Sequence, residues 1–133
     1  MSEKTIYFGE HITLDGYGGD FRKLNDKSVV LDILDNLPSL LEMKKLSDPV
    51  VYHAEGNDKK DPGGWTGFVV IGESHISVHT FPARGFVSAD VYTCRNGMDR
   101  EFICNFFKEK FLLGDLEVNF LKRGTRYPAQ DRE

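Results

Sequence analysis

The sequence predicts an α+β fold, a two-layer sandwich in which a mostly antiparallel sheet carries helices on one face. Three observations lead there. Apolar β-type runs at residues 65–71, 76–81 and 86–93 follow one another with no helical pattern between them, and strands in such succession pair antiparallel. Two segments with apolar residues at helical spacing flank that run and supply a second layer. The chain has 133 residues, 40% hydrophobic and 29% charged, which suits a single domain around one core. The resulting order is strand, broken helix, run of strands, helix, strand.

Residues 5–14 read as the first strand, with Ile6, Phe8, Ile12 and Leu14 on one parity, and the cluster at 15–20 (DGYGGD) interrupts it. Asn25 and Asp26 offer a helix cap ahead of Val29, Val30, Ile33, Leu34 and Leu37. Pro38 disrupts a helix interior but suits a first turn, so the helix is expected to break there and restart with Leu40, Leu41 and Leu46. Residues 50–53 form a short strand, and 55–64 (EGNDKKDPGG) a polar loop whose Lys59, Lys60 and Asp61 charges are solvated. Gly72-Glu73-Ser74-His75 separates the next two strands, and Gly85 precedes a further one. Residues 98–111 form the second helix, with Phe102, Ile103 and Phe106 marking its buried side and Cys104 packing as a small hydrophobe. Gly114 ends it, residues 116–121 give the last strand, and the polar tail from 124 onward is loose.

Seventeen basic against 21 acidic residues leave a net charge of −4 with no basic run, so nothing points to nucleic acid. Cys94 and Cys104 form neither a disulfide framework nor a metal pattern, and they suit a reducing compartment. No apolar run is long enough to span a membrane, and the start lacks a signal peptide's apolar stretch. A cytoplasmic protein is expected. If the sheet face without helices is apolar, a homodimer is the simplest way to cover it.

The chemistry concentrates in Glu73-Ser74-His75-Ile76-Ser77-Val78-His79-Thr80-Phe81-Pro82 and in Asp90-Val91-Tyr92-Thr93-Cys94. Together with Gly9-Glu10-His11, Asp15 and Tyr17, these segments resemble the short prokaryotic, self-processing S-adenosylmethionine decarboxylases. A Glu-Ser-His segment alone is a weak signal; a serine, a histidine and a cysteine in register make a specific one. The resemblance implies an inactive precursor cut between Glu73 and Ser74, giving chains 1–73 and 74–133 of one decarboxylase domain. Ser74 becomes a pyruvoyl group, the only cofactor expected. That ketone captures a substrate amine and accepts the electrons released with CO2. The resemblance also implies that His79 handles the α-proton during processing, that Cys94 returns a proton to the product, and that Thr66, where the family has serine, helps polarise the Glu73 carbonyl.

Parity sets a condition on this reading. Ser74 and His79 lie an odd number of residues apart, so a regular strand points them to opposite faces, and a turn or bulge must intervene near Gly72. Each residue also has an unremarkable reading: Ser74 as a turn residue, His79 as a strand histidine, Cys94 as a buried hydrophobe. His75 and His79, four apart, would suit zinc on a helix, but the β-branched and aromatic residues between them argue for a strand, and no metal is expected.

For substrate, the resemblance puts S-adenosylmethionine first, the route to spermidine and other polyamines. Phe81 can offer an aromatic face to the adenine. The family's ribose-binding glutamate is replaced by Ala83, followed by Arg84, and alanine accepts no hydrogen bond. The alternative is therefore L-arginine or L-ornithine, whose cationic tail needs a carboxylate such as Glu55, Asp58, Asp61 or Asp90. A third reading, from a different class, is a relative that never cuts itself and serves as a binding or regulatory subunit.

Overall fold

A computed structural model describes residues 7–57 and 62–128. Six strands make one sheet: β1 (Gly9–Tyr17), β2 (Val50–Glu55), β3 (Gly63–Ile71), β4 (Ser74–Phe81), β5 (Phe86–Thr93) and β6 (Asp115–Arg123), in the order β2-β3-β4-β5-β1-β6. Every neighbouring pair is antiparallel. The helices are α1 (Phe21–Leu24), α2 (Lys27–Leu40) and α3 (Arg100–Phe111). The α+β fold expected from the sequence is the one observed.

The two periodicities meet in the core. Alternate residues of the central strands, including Ile12, Leu14, Val69, Ile76, Val78 and Val91, point to one face and are buried. Against them lie Val30, Ile33, Leu34 and Leu37 of α2, and Ile103, Phe107 and Phe111 of α3. Burying each such side chain is worth about 1.5–3 kcal/mol, which holds the helices on that face. Asp26 and Asp99 start α2 and α3 by accepting backbone N–H bonds from Ser28 (2.9 Å) and Phe102 (3.1 Å). The opposite face of the sheet carries no helix and exposes Tyr52, Phe68, Val70 and Leu121. Among the described residues, no helix is long and apolar enough to cross a membrane.

Several local expectations need correction. The first strand runs on through Tyr17, because Asp15, Gly16 and Tyr17 find partners on both sides, in β6 for all three and in β5 for the first two. Gly16 leaves room there: a Cβ would lie 2.5 Å from a Leu113 methyl and 2.9 Å from a Val87 methyl, and those side chains would have to shift. The chain turns only at Gly18, whose φ is +67°. The early part of the expected strand, including Ile6, lies outside the described residues.

The helical region is broken, but at Asn25 and Asp26, between α1 and α2, rather than at Pro38. Pro38 sits in the last turn of α2, where its missing N–H removes a single bond. No second helix follows. Glu42 takes a left-handed φ of +61°, and residues 44–47 run along the sheet edge, with Leu46 N–H donating to the Val70 carbonyl (2.8 Å) and Gly72 N–H to the Lys44 carbonyl (3.3 Å). Leu46 is consequently 66% exposed.

On α3, Ile103 is buried as expected, but its companions are Phe107 and Phe111, four and eight positions on. Phe102 is exposed and Phe106 half-buried, packed on each other at 6.1 Å. Cys104 is half-buried, and that burial pushes its thiol above the ordinary value. Asp58, Lys59, Lys60 and Asp61 lie outside the described residues, as does the end of the tail.

Candidate active site

The Glu73–Ser74 bond lies at the tip of the β3–β4 hairpin. Ile71 pairs with Ser74, so Gly72 and Glu73 alone form the turn, but that turn precedes Ser74: β4 runs regularly from Ser74 to Phe81, and the break expected between Ser74 and His79 is absent, so the two side chains point to opposite faces. Glu73 takes a left-handed φ of +55°. For a residue with a Cβ this conformation costs about 1–2 kcal/mol. Backbone strain therefore sits on the carbonyl side of the bond in question.

Ser74 is the first residue of β4, and its side chain is buried toward the helices. Its hydroxyl donates to the Gly72 carbonyl (3.2 Å) and accepts from the Cys94 N–H (3.2 Å). Cys94 follows β5 directly, and its thiol reaches the same Gly72 carbonyl at 3.9 Å. Cys94 is held in turn from β1. The buried Glu10 carboxylate accepts from the N–H groups of Gly97 (2.9 Å) and Met98 (2.8 Å), pinning the segment just after the cysteine. The Tyr7 hydroxyl also donates to Glu10 (2.8 Å), which raises the tyrosine's pKa.

His79 and Thr66 form a second pair. They are register partners across β3 and β4, with Nδ1 and Oγ1 3.3 Å apart, on the helix-free face. Five residue steps along the strand separate Ser74 from His79, about 16 Å at the usual rise. Within one chain the structure brings Ser74 to Cys94 and His79 to Thr66, but not the first pair to the second.

The expected substrate contacts lie at the far end of β4. Phe81 stacks at 5.5 Å on Phe86, which lies 5.4 Å from Tyr17. Ala83 and Arg84 sit on a short 3-10 turn (Pro82–Arg84), with Ala83 exposed at the rim of a recess of about 210 Å³ that Glu55 and His53 also line.

The register reveals a group that sequence reading did not assemble. On the helix-free face, His11 of β1, His75 and Ser77 of β4 and Asp90 of β5 converge. His11 Nε2 lies 2.6 Å from Asp90 Oδ2, His75 Nε2 lies 3.4 Å from the same oxygen, and the Ser77 hydroxyl donates to Oδ1. Burial of Asp90 favours its neutral form, but the bonds from Ser77 and His11 and the nearby histidines outweigh it, leaving the carboxyl below the usual aspartate range. The usable signal was parity, since His75, Ser77 and His79 share a face of β4; which residues of β5 and β1 stand opposite is set by register, which the sequence does not spell out.

Comparison with known proteins supplies the family. The sequence profile described as S-adenosylmethionine decarboxylase matches residues 10–124. The chain belongs to the S-adenosylmethionine decarboxylase family. Among its relatives are proteins named S-adenosylmethionine decarboxylase proenzyme from Syntrophomonas wolfei, 36% identical over 93% of each chain, and from Moorella thermoacetica, 34% identical over 92% of each. The crystal structure of the adenosylmethionine decarboxylase from Aquifex aeolicus superposes with a TM-score of 0.75 at 26% identity, covering 90% of this chain and 92% of that one. As a member of this family the protein is a carboxy-lyase whose electrophile is a pyruvoyl group, made by self-cleavage at an internal serine.

Proposed function

We propose that the chain cuts itself between Glu73 and Ser74 and, once processed, decarboxylates S-adenosylmethionine for polyamine synthesis. The observation that carries this reading is the Ser74 hydroxyl, buried beside Cys94 at the tip of a hairpin whose preceding residue is in the left-handed region. The Ser74 oxygen attacks the Glu73 carbonyl carbon, and the amide becomes an ester. Removal of the Ser74 α-proton then expels the Glu73 carboxylate, and hydrolysis of the resulting dehydroalanine releases ammonia and leaves the pyruvoyl group. That group supplies an electron sink for the loss of CO2. Cys94, already beside residue 74, is placed to return a proton.

His79 handles the α-proton in this reading, and no strand geometry lets the same chain deliver it. A second copy seated on the helix-free face is the remaining source of that pair, and because the Ser74 side chain points toward the helices it reaches the Glu73–Ser74 bond at the hairpin tip. The exposed Tyr52, Phe68, Val70 and Leu121 give that face the apolar character a homodimer needs. A cytoplasmic setting belongs to the same reading and suits two free cysteines.

Mass spectrometry of the purified protein tests the cut. Wild type should give two fragments, the second beginning with pyruvoyl at position 74. Ser74→Ala should give one intact mass, and Cys94→Ala should cut yet lose at least about a hundredfold in correct turnover. A wild type that stays intact under added nucleophile would favour the non-processing binding relative instead.

A basic amino acid is the second reading, favoured by Ala83. That position offers no acceptor for ribose hydroxyls, while Glu55 lines the adjoining recess; both stand at the far end of β4 from Ser74, so in this reading Glu55 meets a cationic tail from a second copy. Asp90 is committed to His11 and Ser77 and does not serve that purpose. CO2 release from S-adenosylmethionine, L-ornithine and L-arginine, measured side by side, decides between them. Ala83→Glu should raise kcat/KM for S-adenosylmethionine by about tenfold or more if ribose contacts are what is missing; an unchanged value would count against the ribose argument.

A further inference from the structure

His11, His75 and Asp90 resemble a metal-ligand set, with one donor atom from each all within 4.8 Å of one another. Proton bookkeeping points elsewhere. The Arg123 guanidinium lies 2.9 Å from His11 Nδ1 and can only donate, so Nδ1 is the acceptor and the His11 proton sits on Nε2. That proton is directed at Asp90 Oδ2, 2.6 Å away. A metal-bound Nε2 would carry no proton, and Nδ1 would then need an acceptor where the guanidinium stands. The cluster is a directed hydrogen-bond chain: Arg123 donates to His11, His11 to Asp90, and Ser77 and His75 also donate to Asp90.

The chain ends on the residue bonded to Ser74. His75 is the first residue after the proposed cut, and its ring is held by Asp90 on one side and by Tyr92 (ring centroids 5.5 Å) on another. Arg123 also lies over Tyr92 at 5.1 Å, so the same cation braces both supports. Four strands thus converge on one side chain: β6 through Arg123, β1 through His11, β5 through Asp90 and Tyr92, and β4 itself.

Resting on the reading of Ser74 above, we propose that His11 and Asp90 are positioning residues of this decarboxylase: through His75 they fix the peptide unit that joins residues 74 and 75. In the precursor this unit is the carbonyl side of Ser74. After the cut it is the amide that carries the pyruvoyl group, which has lost its covalent tether on the other side and depends on this one for orientation. A misplacement of the reacting carbonyl of about 1 Å is enough to cost on the order of a hundredfold in rate.

Glutamine at position 11 reproduces the inferred tautomer, with a carbonyl oxygen to accept from Arg123 and an amide N–H to donate to Asp90. Phenylalanine keeps the bulk and loses both. The test compares wild type, H11Q, H11F and D90N for self-cleavage half-time by mass spectrometry. It also measures kcat and KM of the processed fraction with the best of the three substrates, in EDTA and with added Zn2+ or Mn2+. H11F and D90N should lower kcat by about tenfold or more with KM within about twofold, H11Q should recover most of the loss, and metal or chelator should change nothing.

H11Q as impaired as H11F, with wild-type activity lost in EDTA and restored by metal, would overturn the chain in favour of a metal centre. A wild type that cuts normally while H11F and D90N match it would overturn the positioning role and leave the reading of Ser74 standing. A wild type that never cuts would sink the reading of Ser74 first. Should D90N not fold, the contrast between H11F and H11Q decides alone.

Discussion

Glu73 is the residue on which sequence and structure make the most direct claim together. Its φ of +55° stores strain beside the bond that the motif marks for cleavage. Glycine adopts that region freely, so Glu73→Gly should relieve it. In a Ser74→Ala background, where nothing cuts, urea denaturation should find E73G more stable by about 1 kcal/mol. In the native background the same substitution should slow self-cleavage, because the precursor gives up less strain on opening the turn. Ser74, His79, Cys94 and Thr66 were singled out only through the family resemblance. That they separate into two pairs was not legible, because pairing depends on which face each strand residue takes after a two-residue turn.

At the scale of elements, α3 shows how a helix face is misread. Phe102, Ile103 and Phe106 have the right spacing for a buried stripe, but so do Ile103, Phe107 and Phe111, and both choices contain an aromatic at each turn. Packing against β6, β1 and α1 selected the second. Phe107→Ala should therefore cost about 3–5 kcal/mol by chemical denaturation, while Phe102→Ala, at an exposed position, should stay within about 1 kcal/mol. Pro38 carries a related lesson. A proline rule fixes where a helix is weakened, and near a C-terminus one missing bond is tolerated, so the rule does not fix where the helix stops. The strands were the readily legible part of this chain, because alternation over β3, β4 and β5 is strong and glycines punctuate it. The edges of β1 and β2 were less so, since their length is set by partners distant in sequence.

For the whole molecule, the Asp90 network ties four strands together through charge and so links stability to acidity. The Asp90 carboxyl titrates below its unfolded value of about 3.9, so its contribution is complete above that value and is lost as pH falls through the lower, folded one. In the uncut Ser74→Ala background, the stability gap between Asp90 and Asp90→Asn should be visible at pH 7 and should shrink at pH 3, as read by urea denaturation; a gap constant across that range would mean the carboxylate charge contributes nothing. The strand order carries a different consequence. A cut after Glu73 assigns β1, β2 and β3 to one fragment and β4, β5 and β6 to the other, while the sheet runs β2-β3-β4-β5-β1-β6. The strand from the first fragment, β1, is then clasped between two strands of the second. The halves are interleaved like a split protein that was never apart, and neither holds a core of its own. Maturation can only follow folding, and a fragment made separately would have no surface on which to wait for its mate.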